Sequence, residues 1–273
     1  MKRSLLIPLS VLFIFFLSAY VWAYTHVLEY RIRVAQEGIR ATAPPFPPEV
    51  MNVLAGEYKG LLSDYLLLEA AAFIGANTEP TQEDWEAVAL LFKQTMALDP
   101  HFMQSYRLFQ AVLPWEAEKH DLTIELLEKS KKHRPWDRVP GFFIGFDYFY
   151  FLEDNVKASE YLMEASKVPE APVALATLAA RLAQKGGQTL TAIAFLRAMY
   201  EKEDDEGVKE TLRVRIEALI GVWTLEQGIS QFTSRFGHPP ETLEELVSRG
   251  ILKELPSNPY GKPYTYEDGQ IGF

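Results

Sequence analysis

Three prolines recur along the chain at an almost fixed interval, and this period constrains the fold more than any other feature. Pro100, Pro135 and Pro169 lie 35 and 34 residues apart, and each follows a stretch whose apolar residues have helical spacing. Because proline cannot continue a helix, each of these residues predicts a helix end. A constant period of about 34 residues indicates a repeated unit of two antiparallel helices.

The residues before each proline also repeat a pattern of side-chain size. Residues spaced four and then three apart share one face of a helix, and here the larger side chain stands in the middle. The three sets are Val88, Phe92 and Thr95; Thr123, Leu127 and Ser130; and Ala158, Leu162 and Ala165. The small residues would let paired helices approach closely, so we expect Leu127 and Leu162 to fill the space between them.

A fourth unit follows Pro169 and matches the pattern less well. It keeps Ala192 and Leu196 and has Gly186-Gly187 as its turn. It lacks the closing proline, and an acidic run at residues 201–206 stands in its place. We expect this run to be a solvated loop and not a metal site.

With this period and these positions, residues 84–205 resemble the tetratricopeptide repeat (TPR) family. Gly145 and Tyr148 also stand where that motif carries its small residue and its aromatic. Because one repeat cannot bury its apolar face alone, the units are expected to stack. The predicted fold class is mainly α: a TPR-like solenoid of antiparallel helix pairs, with an N-terminal transmembrane helix and a small C-terminal helix plus β-hairpin.

The resemblance also implies where a partner would bind, because these repeats receive ligands on their concave face. By repeat phase, the residues of this predicted groove are Gln104, Arg107, Phe142, Phe146, Phe149 and Tyr150. Exposed aromatic residues would anchor a peptide or a protein surface. The alternative is that the same rings pack in the core, against the helix that contains Tyr161 and Leu162.

The N-terminus has the pattern of a membrane anchor. Lys2 and Arg3 precede an uncharged run at residues 4–24, and about 20 apolar residues cross a hydrocarbon core of about 30 Å. We therefore predict a single-pass anchor at residues 1–24 in the inner (cytoplasmic) membrane, with the remainder in the periplasm. A cleaved signal peptide is the alternative, since Val21-Trp22-Ala23 resembles a cleavage site, although the run is longer than a usual signal core.

The chain after the anchor divides into three predicted parts. Residues 25–48 form a juxtamembrane helix and a linker, whose four prolines between positions 44 and 48 favour an extended spacer. Residues 49–206 form the TPR-like helical repeats, which begin with a helical pattern from Glu49 to Ile74. Residues 207–273 form a long helix and a tail of different character.

This tail resembles the C-terminal part of the type II secretion major pseudopilins. The matching residues are Gly237, Pro240, Leu243, Leu246, Asn258, Pro259, Gly261, Tyr264 and Tyr266. The chain lacks a prepilin-type N-terminus, so it is not itself a pseudopilin. Pseudopilins often hold calcium here, and Asn258, Glu267 and Asp268 could contribute oxygen ligands. Turn formation by the same residues is the interpretation that we favour, with a tight hairpin turn at Asp268-Gly269.

Composition excludes several classes of function. The chain contains no cysteine, which removes disulfides, thiolate metal sites and cysteine nucleophiles. A formal net charge of −10 argues against a nucleic-acid partner, because such binding depends on Lys and Arg neutralising phosphates. The five histidines form no metal-binding pair, and no glycine-rich phosphate loop is present. No catalytic, cofactor-binding or metal-binding residue is predicted, and the chain is not expected to be an enzyme.

The sequence therefore favours a membrane-tethered, TPR-like scaffold for protein–protein interaction in the bacterial cell envelope. The resemblance of the tail suggests protein partners from a secretion or pilus-like assembly. The first alternative is a groove that binds a small apolar ligand or a lipid. The second is an enzyme with dispersed catalytic residues, which sequence alone does not reveal.

Overall fold

The computed structural model describes residues 13, 15–29, 40–76 and 79–273. This part of the chain is mainly helical, with one small antiparallel sheet near the C-terminus, as predicted. Clustering of contacts divides the chain into two compact units, Met1–Asp99 and Pro100–Phe273, which we call the first and the second unit. The division into predicted repeats at 49–206 and a separate tail stays a prediction.

Most of the predicted anchor, residues 1–12 and 14, lies outside the described residues, as does the predicted juxtamembrane segment at residues 30–39. Residues 15–29 are helical, and their large apolar side chains are exposed, among them Phe15, Phe16, Leu17, Tyr20 and Trp22. Within the described ranges, no helix has both the length and the apolar character that crossing a membrane requires. The transmembrane anchor stays a prediction.

The first unit contains helices α1 (Pro48–Ala55), α2 (Lys59–Ile74) and α3 (Gln82–Leu98), with a 3-10 turn at Gly56–Tyr58. The sequence predicted a helical pattern from Glu49 to Ile74, and the structure divides this range into two helices at Gly56. Gly56 adopts φ 49° and ψ −122°, which ends α1 because a residue in this conformation cannot continue a right-handed helix. Both α1 and α2 pack against α3.

The predicted linker is non-helical at residues 40–47, and hydrogen bonds tie it to α3. The Gln94 side-chain amide donates to the carbonyls of Pro44 and Phe46, at 2.8 Å each. Nearer the start of α3, the Asp84 carboxylate accepts from the Arg40 guanidinium at 2.9 Å and from the Ala41 amide at 3.0 Å. This segment therefore lies along a helix, where the sequence had suggested a spacer.

A capping box begins α3. Thr81 is the N-cap, and its hydroxyl accepts from the Asp84 amide while the Asp84 carboxylate accepts from the Thr81 backbone. The hydrogen bond from the Thr81 backbone, with those from Ala41 and Arg40, holds the pKa of Asp84 well below its usual range. A buried carboxylate thus joins the linker to the helix start.

The second unit contains seven consecutive helices before the tail. They are α4 (Met103–Val112), α5 (His120–His133), α6 (Arg138–Tyr150), α7 (Asn155–Ala165), α8 (Val173–Lys185), α9 (Thr189–Tyr200) and α10 (Glu206–Phe236). Each packs against the next along the chain, a pattern compatible with a helical solenoid. The helices end before Pro135, Pro169 and the acidic run at residues 201–206, as the sequence predicted.

Helices α6 and α7 approach each other closely at Gly145. A Cβ atom added there would lie 2.7 Å from the Leu162 side chain and 3.1 Å from the Ala158 carbonyl oxygen. Leu162 therefore occupies the space that the missing side chain leaves. Leu127, Leu162 and the small residues of all three predicted sets are buried, which confirms the predicted core positions.

The tail contains a short helix, α11 (Glu244–Ser248), and strands β1 (Thr265–Glu267) and β2 (Gln270–Gly272). The strands pair antiparallel, with Tyr266 opposite Ile271. Asp268 and Gly269 both have positive φ, 51° and 76°, as the predicted tight hairpin turn requires.

The tail is anchored on α10 by Tyr264. Its hydroxyl donates to the Ala218 carbonyl at 2.9 Å, and its ring occupies the space where a side chain at Gly221 would lie. The hairpin is thus fixed to the long helix.

We expect Leu162→Asp to unfold the second unit. Burying an unpaired carboxylate costs several kcal/mol, which is comparable to the whole stability of a domain, about 5–15 kcal/mol. Thermal unfolding followed by circular dichroism measures the effect, with Leu190→Asp on the exposed side of α9 as the matched control. Equal melting temperatures for the two variants would contradict the packing described here.

Candidate functional site

Helix α6 carries four of its aromatic residues on the half of the helix opposite its buried residues, whereas Tyr148 stacks on Tyr161 of α7. Its buried side is formed by Pro140, Gly141, Ile144, Gly145 and Asp147. At 100° per residue, Phe142, Phe146, Phe149 and Tyr150 fall on the opposite half of the helix. None of these four is fully buried, and Phe149 and Tyr150 are exposed. The glycines make this possible, because they give α6 a packing face that needs no large side chain.

The aromatic residues at the end of α6 form a cluster with a tryptophan from the turn between α4 and α5. We call Trp115, Phe146, Tyr150 and Phe151 the aromatic surface; Phe149 is exposed on the neighbouring part of α6. Trp115 lies 5.2 Å from Tyr150 and 4.8 Å from Phe151 between ring centroids. Phe146 and Tyr150 are stacked at 5.4 Å. Trp115 is 47% and Tyr150 54% exposed, so large rings face solvent while contacting one another.

Trp115 is a member of this surface that the sequence did not predict. It lies in the turn between α4 and α5, outside any helical period, and the repeat pattern assigns it no position. Its neighbourhood is completed by His120, whose ring stacks on Phe151 at 4.6 Å. The sequence feature that could have indicated Trp115 is a large aromatic residue in a turn, because turn residues are usually exposed to solvent.

The structure separates Phe142 from the aromatic surface. Phe142 lies near the start of α6 and lines an apolar cavity of about 310 Å³ between α6 and α8. The other lining residues are Arg138, Val139, Pro172, Ala174, Leu175 and Leu178. The predicted groove residues of α6 therefore belong to two neighbouring features, a small apolar cavity and an exposed cluster of rings.

The two predicted groove residues of α4, Gln104 and Arg107, are exposed. They point away from the buried side of α4, which includes Tyr106, Phe109 and Gln110. No ring contact joins either residue to the aromatic surface within the described ranges. Arg107 instead reaches the neighbouring Tyr106 hydroxyl.

Two polar contacts hold α4 against α6, and the first lies at the start of α6. The Tyr106 hydroxyl donates to the Asp137 carboxylate at 2.6 Å, and Asp137 also caps α6 by accepting from the Val139 amide. Burial and the nearby Asp137 raise the pKa of Tyr106 to about 12. The hydrogen bonds from Tyr106, Val139 and Arg134 outweigh burial and lower the pKa of Asp137.

The second contact lies in the middle of α6, where Asp147 is fully buried. Its Oδ1 accepts from the Gln110 Nε2 at 2.6 Å. Its Oδ2 and the Gln110 Oε1 have no hydrogen-bond partner in the described part of the chain. Burial raises the pKa of Asp147 to about 7, although the hydrogen bond from Gln110 lowers it in part. A proton on Asp147 removes a charge that is otherwise buried without an ionic partner.

Two of the three residues considered for calcium, Asn258 and Asp268, take part in turn formation, and the third, Glu267, ends β1. The Asn258 side chain accepts from the Tyr260 amide at 3.0 Å, and Asp268 occupies the hairpin turn. In the described part of the chain, no group of three or more His, Asp or Glu side chains could hold a metal ion.

The buried Asp147 predicts a specific pH dependence of stability. Because its pKa in the folded chain lies above its ordinary value of 3.8, the folded state binds the proton more tightly than the unfolded state. The stabilisation of the folded state by protonated Asp147 is fully present below about pH 4 and is lost as pH rises through about 7. Relative to Asp147→Asn, the unfolding free energy should fall over this range by up to about 4 kcal/mol. Denaturant unfolding of both proteins from pH 4 to 8 measures it, and a constant difference would contradict the assignment.

Comparisons with known proteins do not assign a family. No protein-family model matches this chain, and the comparison with curated proteins also found no match.

Proposed function

We propose that this protein is a TPR-like helical scaffold that binds a partner protein through the aromatic surface of its second unit. The observation that supports this most directly is the exposure of Trp115 and Tyr150, which contact each other and still face solvent. Interface energy concentrates in a few aromatic and Arg residues, each worth roughly 2 kcal/mol or more on truncation. Four rings in mutual contact supply such a centre.

The rings are also held in place before any partner binds. Phe146 and Tyr150 stack on each other, and Trp115 lies against Phe151 at a steep angle. Ordering side chains on binding costs about 0.5–1.5 kcal/mol for each one that becomes immobile. Mutual contacts reduce this cost, so the surface suits binding better than isolated rings would.

The charge of the chain favours a protein as the partner. With a formal net charge of −10, the chain would repel a phosphate backbone. The exposed Gln104 and Arg107 on α4 supply the polar and cationic groups that commonly surround an aromatic centre. They extend the proposed binding region from α6 toward the preceding repeat.

The setting that we propose is the bacterial cell envelope, with the chain tethered to the inner membrane and its soluble part in the periplasm. The uncharged run at residues 4–24 supports the tether, and the exposed apolar side chains of residues 15–29 would suit a lipid environment. The pseudopilin-like tail supports a partner from a secretion or pilus-like assembly.

A second candidate function is the binding of a small apolar molecule. The cavity beside Phe142, lined also by Leu175 and Leu178, supports it. Its volume of about 310 Å³ lies at the lower end of the range of about 300–1,000 Å³ for ligand pockets. This size fits a small apolar group or the tip of a side chain better than a whole lipid.

Tyr150→Ala should weaken partner binding at least tenfold, because a ring at the centre of the contact contributes more than about 1.4 kcal/mol. A photo-crosslinking residue at position 149 in intact membranes would first identify the partner. Titration of the purified pair would then measure the affinity. Tyr200→Ala, which removes an exposed tyrosine of α9, is the matched control and should leave binding unchanged.

Melting curves must accompany each titration, because the same rings could serve the core. A large loss of stability in Tyr150→Ala without a separate binding defect would assign the rings to packing. Unchanged affinity in a folded variant would place the partner elsewhere, with the tail around residues 260–266 as the next region to test.

We also expect the protein to remain in the membrane fraction after carbonate extraction. About 20 uncharged residues partition into lipid strongly enough to resist alkaline washing. Immunoblotting of pellet and supernatant, with N-terminal sequencing of the recovered chain, measures this. A soluble form beginning near Tyr24 would show that the hydrophobic run is a cleaved signal peptide.

A further inference from the structure

Helix α2 in the first unit is apolar on two opposite sides. One side packs toward α1 and α3 through buried residues, which are Ser63, Leu66, Leu67, Ala70 and Phe73. The other side carries Leu61, Tyr65 and Leu68, with Tyr58 just before the helix. A helix that is apolar all round is usually buried on all sides. Here one side has a partner within the described residues and the other has none.

The open side of α2 is a continuous apolar stripe, which we call the α2 stripe: Tyr58, Leu61, Tyr65 and Leu68. These side chains are between 54% and 73% exposed. Their spacing of three, four and three residues keeps them on one line along the helix, as in the seam of a coiled coil. This spacing matches the surface that a second α-helix packs against.

The exposed area of the α2 stripe is large for a surface without a partner. Large side chains bury about 150–250 Å² each, so four that are more than half exposed present roughly 400 Å². Monomeric proteins rarely expose a continuous apolar patch larger than a few hundred Å², and such patches commonly mark interaction sites. A standard interface buries about 800 Å² per partner, so the stripe would form the apolar centre of one.

Acidic residues flank the α2 stripe on both sides. Asp64 precedes Tyr65 by one residue and Glu69 follows Leu68 by one residue, which places them on opposite edges of the stripe. The Tyr65 hydroxyl hydrogen bonds to Glu69, so this carboxylate lies directly beside the apolar residues. Glu57 adds a third acidic group near the start of the helix. Lys59 is the one basic residue of α2, and it lies well away from the stripe.

This charge pattern disfavours a second copy of the same chain as the occupant. In a parallel pair, Asp64 of one copy would lie near Glu69 of the other, and in an antiparallel pair like residues would face each other. Both arrangements bring carboxylates together. A membrane surface is disfavoured too, because helices that lie on membranes carry Lys and Arg along their polar edges.

We propose that the α2 stripe is a second protein-binding surface, which receives an amphipathic α-helix with a Leu-rich seam flanked by Lys or Arg. The apolar seam of that helix would pack on Leu61, Tyr65 and Leu68. Its basic residues would pair with Asp64 and Glu69. This surface lies on the first unit, so it adds a binding site to the aromatic surface of the second unit and does not depend on it.

The test uses a labelled synthetic peptide of three heptads, with Leu at the two seam positions, Lys at the flanking positions, and Ala and Gln elsewhere. Fluorescence anisotropy measures its binding to the full chain in phosphatidylcholine nanodiscs, with empty nanodiscs subtracted. We expect binding that Leu61→Ser/Leu68→Ser weakens at least tenfold. Leu190→Ser, an exposed leucine of α9, is the matched control and should have no effect.

Charge reversal distinguishes a specific seam from simple attraction between a basic peptide and an acidic protein. Asp64→Lys/Glu69→Lys should bind the Lys-flanked peptide at least tenfold more weakly and should bind a Glu-flanked version of the peptide more tightly. Leu61, Leu68 and Asp64 are exposed and Glu69 is only half-buried, so the melting curves of both double variants should stay unchanged. A peptide of the same composition with dispersed leucines should not bind.

Three outcomes would overturn the proposal. Equal binding of the dispersed-leucine peptide would reduce the effect to net charge. A stable dimer in analytical ultracentrifugation that Leu61→Ser/Leu68→Ser dissociates would make a second copy the occupant. Absence of any binding by the Lys-flanked peptide at high micromolar concentration would exclude such a helix. None of these results bears on the Tyr150 test of the proposed function.

Discussion

The close approach of α6 to α7 at Gly145 determines where the other groups of α6 must lie. Leu162 enters the space that a side chain at position 145 would fill, and Ala158 lies directly behind it. Because the packing face of α6 is largely made of glycine and other compact residues, four of its aromatic residues lie on the opposite half of the helix, while Tyr148 stacks on Tyr161 of α7. A Leu or Phe at position 145 would separate the two helices and disturb this arrangement. The missing side chain at position 145 thus lets α6 pack closely without placing a large ring between the helices.

The parts of the fold that follow from local periodicity could be predicted from the sequence. The spacing of Pro135 and Pro169 gave the helix ends, and the size pattern around Leu127 and Leu162 gave the buried positions. These inferences succeed because a helix repeats its faces every 3.6 residues, whatever it packs against. The hairpin at Asp268-Gly269 was predictable for a similar reason, since few residue pairs tolerate two positive φ angles in succession.

Features that depend on pairing between distant residues could not be predicted in this way. Trp115 joins the aromatic surface from a turn, 35 residues before Tyr150, and no period assigns it a place. The hydrogen bond between Gln110 and Asp147 spans 37 residues, and nothing local marks either as buried. The helix break at Gly56 could not be predicted for another reason. Glycine is tolerated within helices, and only the positive φ of Gly56 reveals the break. The sequence therefore identified α6 as the helix of the predicted groove, but it did not identify the distant residues that contact α6.

The buried hydrogen bond between Gln110 and Asp147 also helps to hold the aromatic surface in place. Asp147 lies on the packed side of α6, close to one turn from Tyr150, and its bond to Gln110 fixes α6 against α4. Gly145 and Leu162 fix the same helix against α7. A helix held from two sides cannot rotate or slide to adapt to a partner, so its exposed rings are presented in one orientation. Such pre-organisation lowers the entropic cost of association and also narrows the range of acceptable partners. In the scaffold that we propose, selectivity would come from the packing behind the aromatic surface as much as from the rings on it.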